Sequence, residues 1–217
     1  MNNKLSITCL ILIITSLFFG CRGPVKEENK NNVSASLVSP GDVTGDKYTI
    51  DTKGSVVTWK GAMQIGPNFH TGYVYISKGE LMIENGELVG GTAEVDMNTI
   101  EDETHGRNNG LIKHLKDPDF FDVKRFPISM IAIIRAESTN AAYKKITGNL
   151  TIKGVTHPVT FPAKVEVKNG VVQANGRLVI DRTKWDVRYK SGKFYDLLAD
   201  QTMSDSIEFN MKIVAKK

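Results

Sequence analysis

Cysteine is scarce in this 217-residue sequence, which contains only Cys9 and Cys21. No cysteine follows residue 21, so the rest of the chain can form no internal disulfide and offers no thiol chemistry. Its stability must come from a hydrophobic core, and residues 47–217 are numerous enough to bury one.

Motifs of the common enzyme classes are also missing. The sequence has no Gly-x-Ser-x-Gly elbow, no His-Glu-x-x-His and no glycine-rich phosphate loop. The four histidines are scattered and lack the spacing of a zinc site: His70, His105, His114 and His157. We therefore expect no catalytic residues, no bound metal and no cofactor.

A crowded acidic turn is the strongest alternative for a metal site. Asp117, Asp119 and Asp122 lack the turn glycine and the regular ligand spacing of a calcium loop. We expect these carboxylates to end a helix, and the neighbouring Phe120 and Phe121 to plug one end of the fold.

Neither sign of charge dominates the chain. Its 28 basic and 24 acidic residues give a net charge of +4 and are interspersed along the sequence. The longest basic blocks are pairs, such as Lys144-Lys145 and Lys216-Lys217. Binding to nucleic acid therefore has no support.

The N-terminus resembles an export signal. Lys4 precedes an apolar run from Leu5 to Phe19, which is shorter than the roughly twenty residues that a membrane-spanning helix needs. The run ends at Gly20-Cys21, where a lipoprotein carries the cysteine that is lipidated. We predict a signal peptide over residues 1–20 and lipidation of Cys21, which together place the protein in the cell envelope, membrane-anchored and facing the periplasm or the cell surface.

A polar linker follows the predicted anchor. Residues 21–46 are rich in Glu, Asn, Ser, Gly and Lys and show no hydrophobic period, which is typical of a flexible tether. The folded domain is predicted over residues 47–217.

The domain is dominated by a hydrophobic period of two, which predicts strands with one buried face. Val155–Lys168 is the clearest case, with apolar odd-numbered residues and polar or proline even-numbered ones. Similar runs near residues 48, 55, 72, 88, 128, 146, 158, 175 and 208 give eight or nine strands. Turn pairs such as Asn85-Gly86, Lys153-Gly154 and Asn169-Gly170 make neighbouring strands antiparallel.

Closure into a barrel is favoured because a single short helix, predicted over residues 105–116, cannot cover two sheet edges. A two-sheet sandwich is the competing architecture. Pro158 and Pro162 remove backbone donors from one strand, which predicts a bulge or an edge-like stretch there.

The order of the motifs resembles the YceI-like polyisoprenoid-binding family from Tyr48 to the C-terminus. Six segments carry the resemblance: Asp51–Trp59 (DTKGSVVTW), His70–Leu81 (HTGYVYISKGEL), Val95–Ile100 (VDMNTI), His114–Pro127 (HLKDPDFFDVKRFP), Ile146–Phe161 (ITGNLTIKGVTHPVTF) and Leu178–Tyr189 (LVIDRTKWDVRY). The resemblance implies a lipocalin-like antiparallel barrel of eight strands with a long isoprenoid or fatty chain inside. The protein would then be a carrier or reservoir for a polyisoprenoid, such as a quinone or its precursor.

The inward faces of the predicted strands supply candidate ligand contacts. We expect the ligand to touch residues from this set: Trp59, Met130, Leu150, Ile152, Val159, Phe161, Leu178, Ile180, Phe209 and Met211. A polar mouth for a head group is one interpretation of Arg182, Lys184, Asp186 and Arg188, and a surface network of Arg and Asp is the other.

Two further functions remain open from the sequence. A filled barrel would act as an interaction module in the envelope. An enzyme acting on a bound lipid would use Asp181 or His157 as acid or base. The oligomeric state, including a homodimer, is also open.

Overall fold

The computed structural model describes residues 44–140 and 142–217. The predicted signal peptide, Cys21 and nearly all of the predicted linker lie outside the described residues and stay predictions. The described ranges form nine strands, one α-helix and a 3-10 helix at Arg182–Trp185. The strands are β1 (Asp46–Ile50), β2 (Val56–Ala62), β3 (Phe69–Glu84), β4 (Glu87–Asp102), β5 (Ile128–Ser138), β6 (Tyr143–Ile152), β7 (Val155–Lys168), β8 (Val171–Asp181) and β9 (Ser206–Lys216), and the helix is α1 (Gly110–Lys116).

The strands close into one antiparallel barrel. Their order around the barrel is β3, β2, β9, β8, β7, β6, β5 and β4, and β4 pairs with β3 to complete the ring. β1 and β2 share one position, because both lie between β3 and β9 at different heights. The fold is therefore an eight-stranded barrel whose first strand is broken at residues 51–55, which confirms the predicted barrel and excludes the sandwich.

Three hairpin turns have the backbone that their sequences predict. Both central residues have positive φ, which matches the twist of the flanking strands and defines a type I′ turn. The φ angles are 52° and 79° at Asn85-Gly86, 50° and 74° at Lys153-Gly154, and 51° and 74° at Asn169-Gly170. These turns fix the register of β3–β4, β6–β7 and β7–β8.

The two prolines of β7 lie where its ladder to β8 is missing. Val165 donates its backbone N–H toward the β6 side, to the Ala142 carbonyl at 2.8 Å. The backbone nitrogens of the even-numbered residues in β7 therefore point toward β8, and Pro158 and Pro162 are among these residues. The β7–β8 ladder ends at the pair Ala163–Gly176, so the predicted edge-like stretch is confirmed.

Helix α1 is shorter than expected and begins at Gly110 rather than near residue 105. Asn109 is its N-cap, because the side-chain Oδ1 accepts from the backbone N–H of Ile112 at 3.0 Å. His105 instead lies in a turn, where its backbone N–H donates to the Asp102 carboxylate at 2.7 Å. The apolar face of α1 contributes Ile112 and Leu115 to the core.

The two ends of the barrel differ. One end carries the hairpins Asn85-Gly86 and Asn169-Gly170, whereas the other is covered by residues 103–127 and 182–205, and we call the latter the capped end. Phe120 is buried there beneath the Arg182 guanidinium, whose carbon lies 5.8 Å from the ring centroid. Among the residues that the structure describes, no helix has the length and apolar character needed to cross a membrane.

Candidate functional site: an apolar bore

A cavity of about 200 Å³ runs inside the barrel, and we call it the bore. Inward side chains of every strand contribute to its wall, including Ile146 of β6 and Val165 of β7. Leu115, Phe120 and Met203 bound it at the capped end. The wall is almost wholly hydrocarbon, which suits an apolar ligand and few others.

Small residues on the inward face create this space. Ala93, Ala163, Ala174 and Gly176 all line the bore, at positions where larger side chains would fill it. A Cβ on Gly176 would lie 3.2 Å from both Met211 Cε and Phe161 Cε2, so the bore is tight at that level. The barrel is thus partly filled, and its free space is a narrow cavity.

Most of the predicted contact residues reach the wall of the bore. Seven of them line it with inward side chains: Trp59, Leu150, Ile152, Phe161, Leu178, Phe209 and Met211. Val159 and Ile180 are buried in the core but do not border the bore. Contact between any of these residues and a ligand remains a prediction.

Met130 is on the opposite face from the one expected. Its side chain borders the bore region but is 39% exposed, and its register partners, Glu94 and Thr151, belong to the outer face. Ser129 is the inward residue at this level and is 7% exposed. Residues 128–134 are almost continuously apolar, so their hydrophobic pattern does not show which of them face inward.

Two polar atoms in the wall have no hydrogen-bond partner among the described residues. They are the Trp59 indole Nε1 and the Ser129 hydroxyl, and both side chains line the bore. The Trp59 ring packs against Gly72, where a Cβ would come within 2.6 Å of the indole. Burying such groups without a partner reduces stability by about 1–3 kcal/mol each.

Arg182 is a buried cation at the capped end and not a surface residue. It is 1% exposed, and its guanidinium donates to the carbonyls of Ser204 at 2.9 Å and Val187 at 2.8 Å. Burial lowers the pKa of the Arg182 guanidinium, whereas Asp205 and Asp181 oppose that shift. Arg182 therefore ties the 182–205 connection to the barrel, which neither interpretation of the sequence anticipated.

The other members of the suggested polar mouth form a surface cluster. Arg188 pairs with Asp186 at 2.6 Å, and both side chains are at least half exposed. Lys184 contributes its backbone carbonyl, 2.8 Å from His157 Nε2. Lys184, Asp186 and Arg188 therefore fit the interpretation as a surface network, whereas the buried Arg182 does not.

The candidate acid and base are held in structural hydrogen bonds. Burial raises the pKa of the Asp181 carboxyl, but hydrogen bonds from Lys193 and Thr183 outweigh it and keep the pKa below its usual value. His157 packs edge-on against Trp185, with ring centroids 5.1 Å apart. Across residues 44–140 and 142–217, no three His, Cys, Asp or Glu side chains come close enough to hold a metal ion.

The chain is similar in sequence to UPF0312 proteins. A UPF0312 protein of Shewanella denitrificans is 30% identical over 133 residues, which cover 60% of this chain and 68% of the relative. A UPF0312 protein of Pseudomonas putida shows the same identity over 134 residues, with the same coverage of both chains.

Solved structures share the barrel fold. BcnA of Burkholderia cenocepacia matches with a TM-score of 0.63 and 19% identity, covering 77% of this chain and 99% of that protein. A polyisoprenoid binding domain from Saccharophagus degradans, implicated in plant cell wall breakdown, matches with a TM-score of 0.57 and 9% identity over 78% and 97% of the two chains. At these identities the likeness concerns the fold.

The family assignment comes from the sequence of the whole barrel. The model of the YceI-like domain matches residues 48–215, which span β1 to β9 with only their outermost residues excluded. The chain belongs to the YceI-like domain family.

Proposed function

We propose that this protein binds the apolar chain of a lipid inside its bore, as a carrier or reservoir. The observation that carries the proposal is the bore itself, a cavity of about 200 Å³ lined almost wholly by hydrocarbon. The description of the S. degradans neighbour as a polyisoprenoid binding domain supports the same class of ligand.

The size of the bore limits how much of a ligand it holds. A cavity of about 150 Å³ accommodates the six carbons of benzene, so about 200 Å³ corresponds to roughly eight carbons. A longer polyisoprenoid would have to displace flexible side chains or extend beyond the barrel. Met97, Met203 and Met211 line the bore and are the flexible residues that could move, because methionine adapts readily to irregular space.

The apolar burial of such a segment sets an upper limit on its binding energy. Eight buried carbons at about 0.8 kcal/mol each give at most about 6 kcal/mol before ordering costs are subtracted. Additional carbons buried by side-chain displacement would add to this. Smooth apolar contacts of this kind select for chain shape more than for chemical detail.

We propose further that the barrel is exported and tethered to a membrane through lipid on Cys21. Support comes from the sequence alone, namely the apolar run that ends at Gly20-Cys21 and the polar linker that follows. Labelling cells with a radioactive fatty acid should mark the wild-type protein and leave a Cys21→Ala variant unmarked. Equal labelling of both proteins would contradict the anchor while leaving the bore untouched.

Mass spectrometry of an organic extract tests the ligand proposal. Protein purified from its native cells should release a long-chain lipid in near-stoichiometric amount. A protein that releases no lipid, and that also fails to take up added prenyl lipids, would contradict the proposal and favour a barrel that acts as a protein-interaction module.

A further inference from the structure

Exposed apolar side chains are concentrated at the capped end. Among the described residues nine large hydrophobic side chains are exposed, and five of them lie at this end. Four of the five are on the connections 63–68 and 182–205, and the fifth, Phe69, is the first residue of β3. We call these five the apolar rim: Ile65, Phe69, Phe194, Tyr195 and Leu198. Leu198 is 69% exposed and Ile65 is 58% exposed, so both project well into solvent.

The two connections that carry the apolar rim are fastened to each other. The backbone N–H of Gln64 donates to the Thr202 carbonyl at 2.9 Å, and that of Ser204 donates to the Ala62 carbonyl at 3.0 Å. The Thr202 hydroxyl in turn donates to the Leu198 carbonyl at 3.0 Å. The two connections that carry the rim are therefore held side by side at the capped end.

The rim adjoins the end of the bore. Gly61 and Ala62, which immediately precede the Met63–Asn68 connection, line the bore and are only half-buried. Met203 and Ser204, near the end of the 182–205 connection, line it as well. A chain entering or leaving the bore at this end would pass directly beside the exposed apolar side chains.

Cationic side chains lie against the aromatic members of the rim. Lys60 Nζ is 4.4 Å from the centroid of Phe69, and the Arg188 guanidinium carbon is 4.7 Å from that of Phe194. Rings with neighbouring Lys or Arg are typical of membrane interfaces, where the ring enters the acyl boundary and the cation stays among phosphates. Asp196 and Asp200 lie in the same connection, so apolar burial and not net charge would drive the contact.

We propose that the apolar rim inserts into the surface of a lipid bilayer and docks the end of the bore on it. The inference rests on the proposed function, because a bore that takes lipid chains requires a route from a bilayer that avoids water. Since charge is secondary, docking extends to bilayers of pure phosphatidylcholine and depends little on salt.

Paramagnetic NMR tests this docking on the full chain. The protein is mixed with phosphatidylcholine nanodiscs that contain a lipid carrying a nitroxide on its acyl chain, and methyl relaxation is measured. The Ile65 and Leu198 methyl groups should relax at least threefold faster than without nitroxide, and those of Val179, 47% exposed on the barrel wall, should not change. Equal enhancement at all three residues, or none, would overturn the proposal.

Matched variants separate insertion from other causes. Leu198→Ser combined with Phe69→Ser should lower the enhancement at Ile65 about tenfold, because two inserting side chains are lost. Val179→Ser replaces an exposed hydrophobic side chain of the barrel wall and should leave the enhancement unchanged. An equal loss in both variants would refute a specific rim.

Binding of octane to the bore, measured in parallel on the same variants, keeps the two proposals apart. If octane binds but the protein does not dock on nanodiscs, only the docking proposal is overturned. If octane does not bind, the proposed function fails whatever the rim does. Dimerisation through the rim would appear instead as concentration-dependent relaxation that needs no nanodisc, and this too would overturn bilayer docking.

Discussion

Filling the bore should raise stability and lower ligand affinity at the same time. Ala174 of β8 lines the bore between its register partners Val165 and Ile213. Ala174→Leu adds three carbons, which need about 75 Å³ when scaled from the benzene-sized cavity. The bore has a volume of about 200 Å³, so the larger side chain fits inside it.

The expected magnitudes follow from the carbons buried. Three carbons contribute up to about 2.4 kcal/mol, and the lost rotamer freedom of leucine subtracts about 0.5–1 kcal/mol, so we expect a gain of about 1.5 kcal/mol. Octane would lose burial of three of its eight carbons, which weakens its binding roughly fifty-fold.

Urea denaturation and titration calorimetry with octane measure the two effects. Ala132→Leu is the matched control, because Ala132 lies on the outer face of β5 opposite Asn149 and Thr92. The control should change stability by no more than about 0.5 kcal/mol and leave octane affinity unchanged. A destabilised Ala174→Leu variant, or one with wild-type affinity, would refute the idea that ligand occupies this space.

Three other predictions concern single groups. Arg182→Met should destabilise the fold by about 3 kcal/mol in urea denaturation, because it leaves buried carbonyls such as that of Ser204 without a donor; a loss below about 1 kcal/mol would contradict this role. Ser129→Ala should stabilise the fold by about 1 kcal/mol, since it removes a buried hydroxyl that has no partner among the described residues; a loss of similar size would show that the hydroxyl is satisfied. The hydrogen bond from Arg177 lowers the pKa of Glu208 from 4.5 to about 2, so the stabilisation it provides is complete above about pH 4.5 and is lost as the pH falls through about 2. An NMR titration of the Glu208 carboxyl should show this pKa in the wild type and a higher one in Arg177→Gln, and an unchanged value in the variant would count against the pair.

Strand positions and turns were predictable because both depend on local sequence. The alternation in Val155–Lys168 places its odd-numbered residues inside, as found. Asn85-Gly86 and Asn169-Gly170 adopt positive φ without help from distant residues. The proline pair in β7 also predicted an edge-like stretch. Proline has no backbone N–H to donate to a neighbouring strand, and this holds whatever position the strand has in the fold.

The features that sequence patterns missed depend on tertiary contacts. Met130 lies in a run with no polar alternation, so only pairing with β4 and β6 decides which face it occupies. Arg182 is charged and would be expected in solvent, but the carbonyls of Val187 and Ser204 satisfy it inside the fold, because the 182–205 connection folds back around it. The apolar rim combines two connections that are more than 120 residues apart and meet only because the barrel closes.

The central claim is that an apolar chain binds within the barrel, and intermolecular NMR contacts test it most directly. In a complex with octane, nuclear Overhauser effects should connect the ligand to the methyl groups of Ile146 and Ala174, which line the bore, and not to those of Val179 on the outer wall. Contacts restricted to Val179 and other outer residues, or no contacts at saturating octane, would contradict the account.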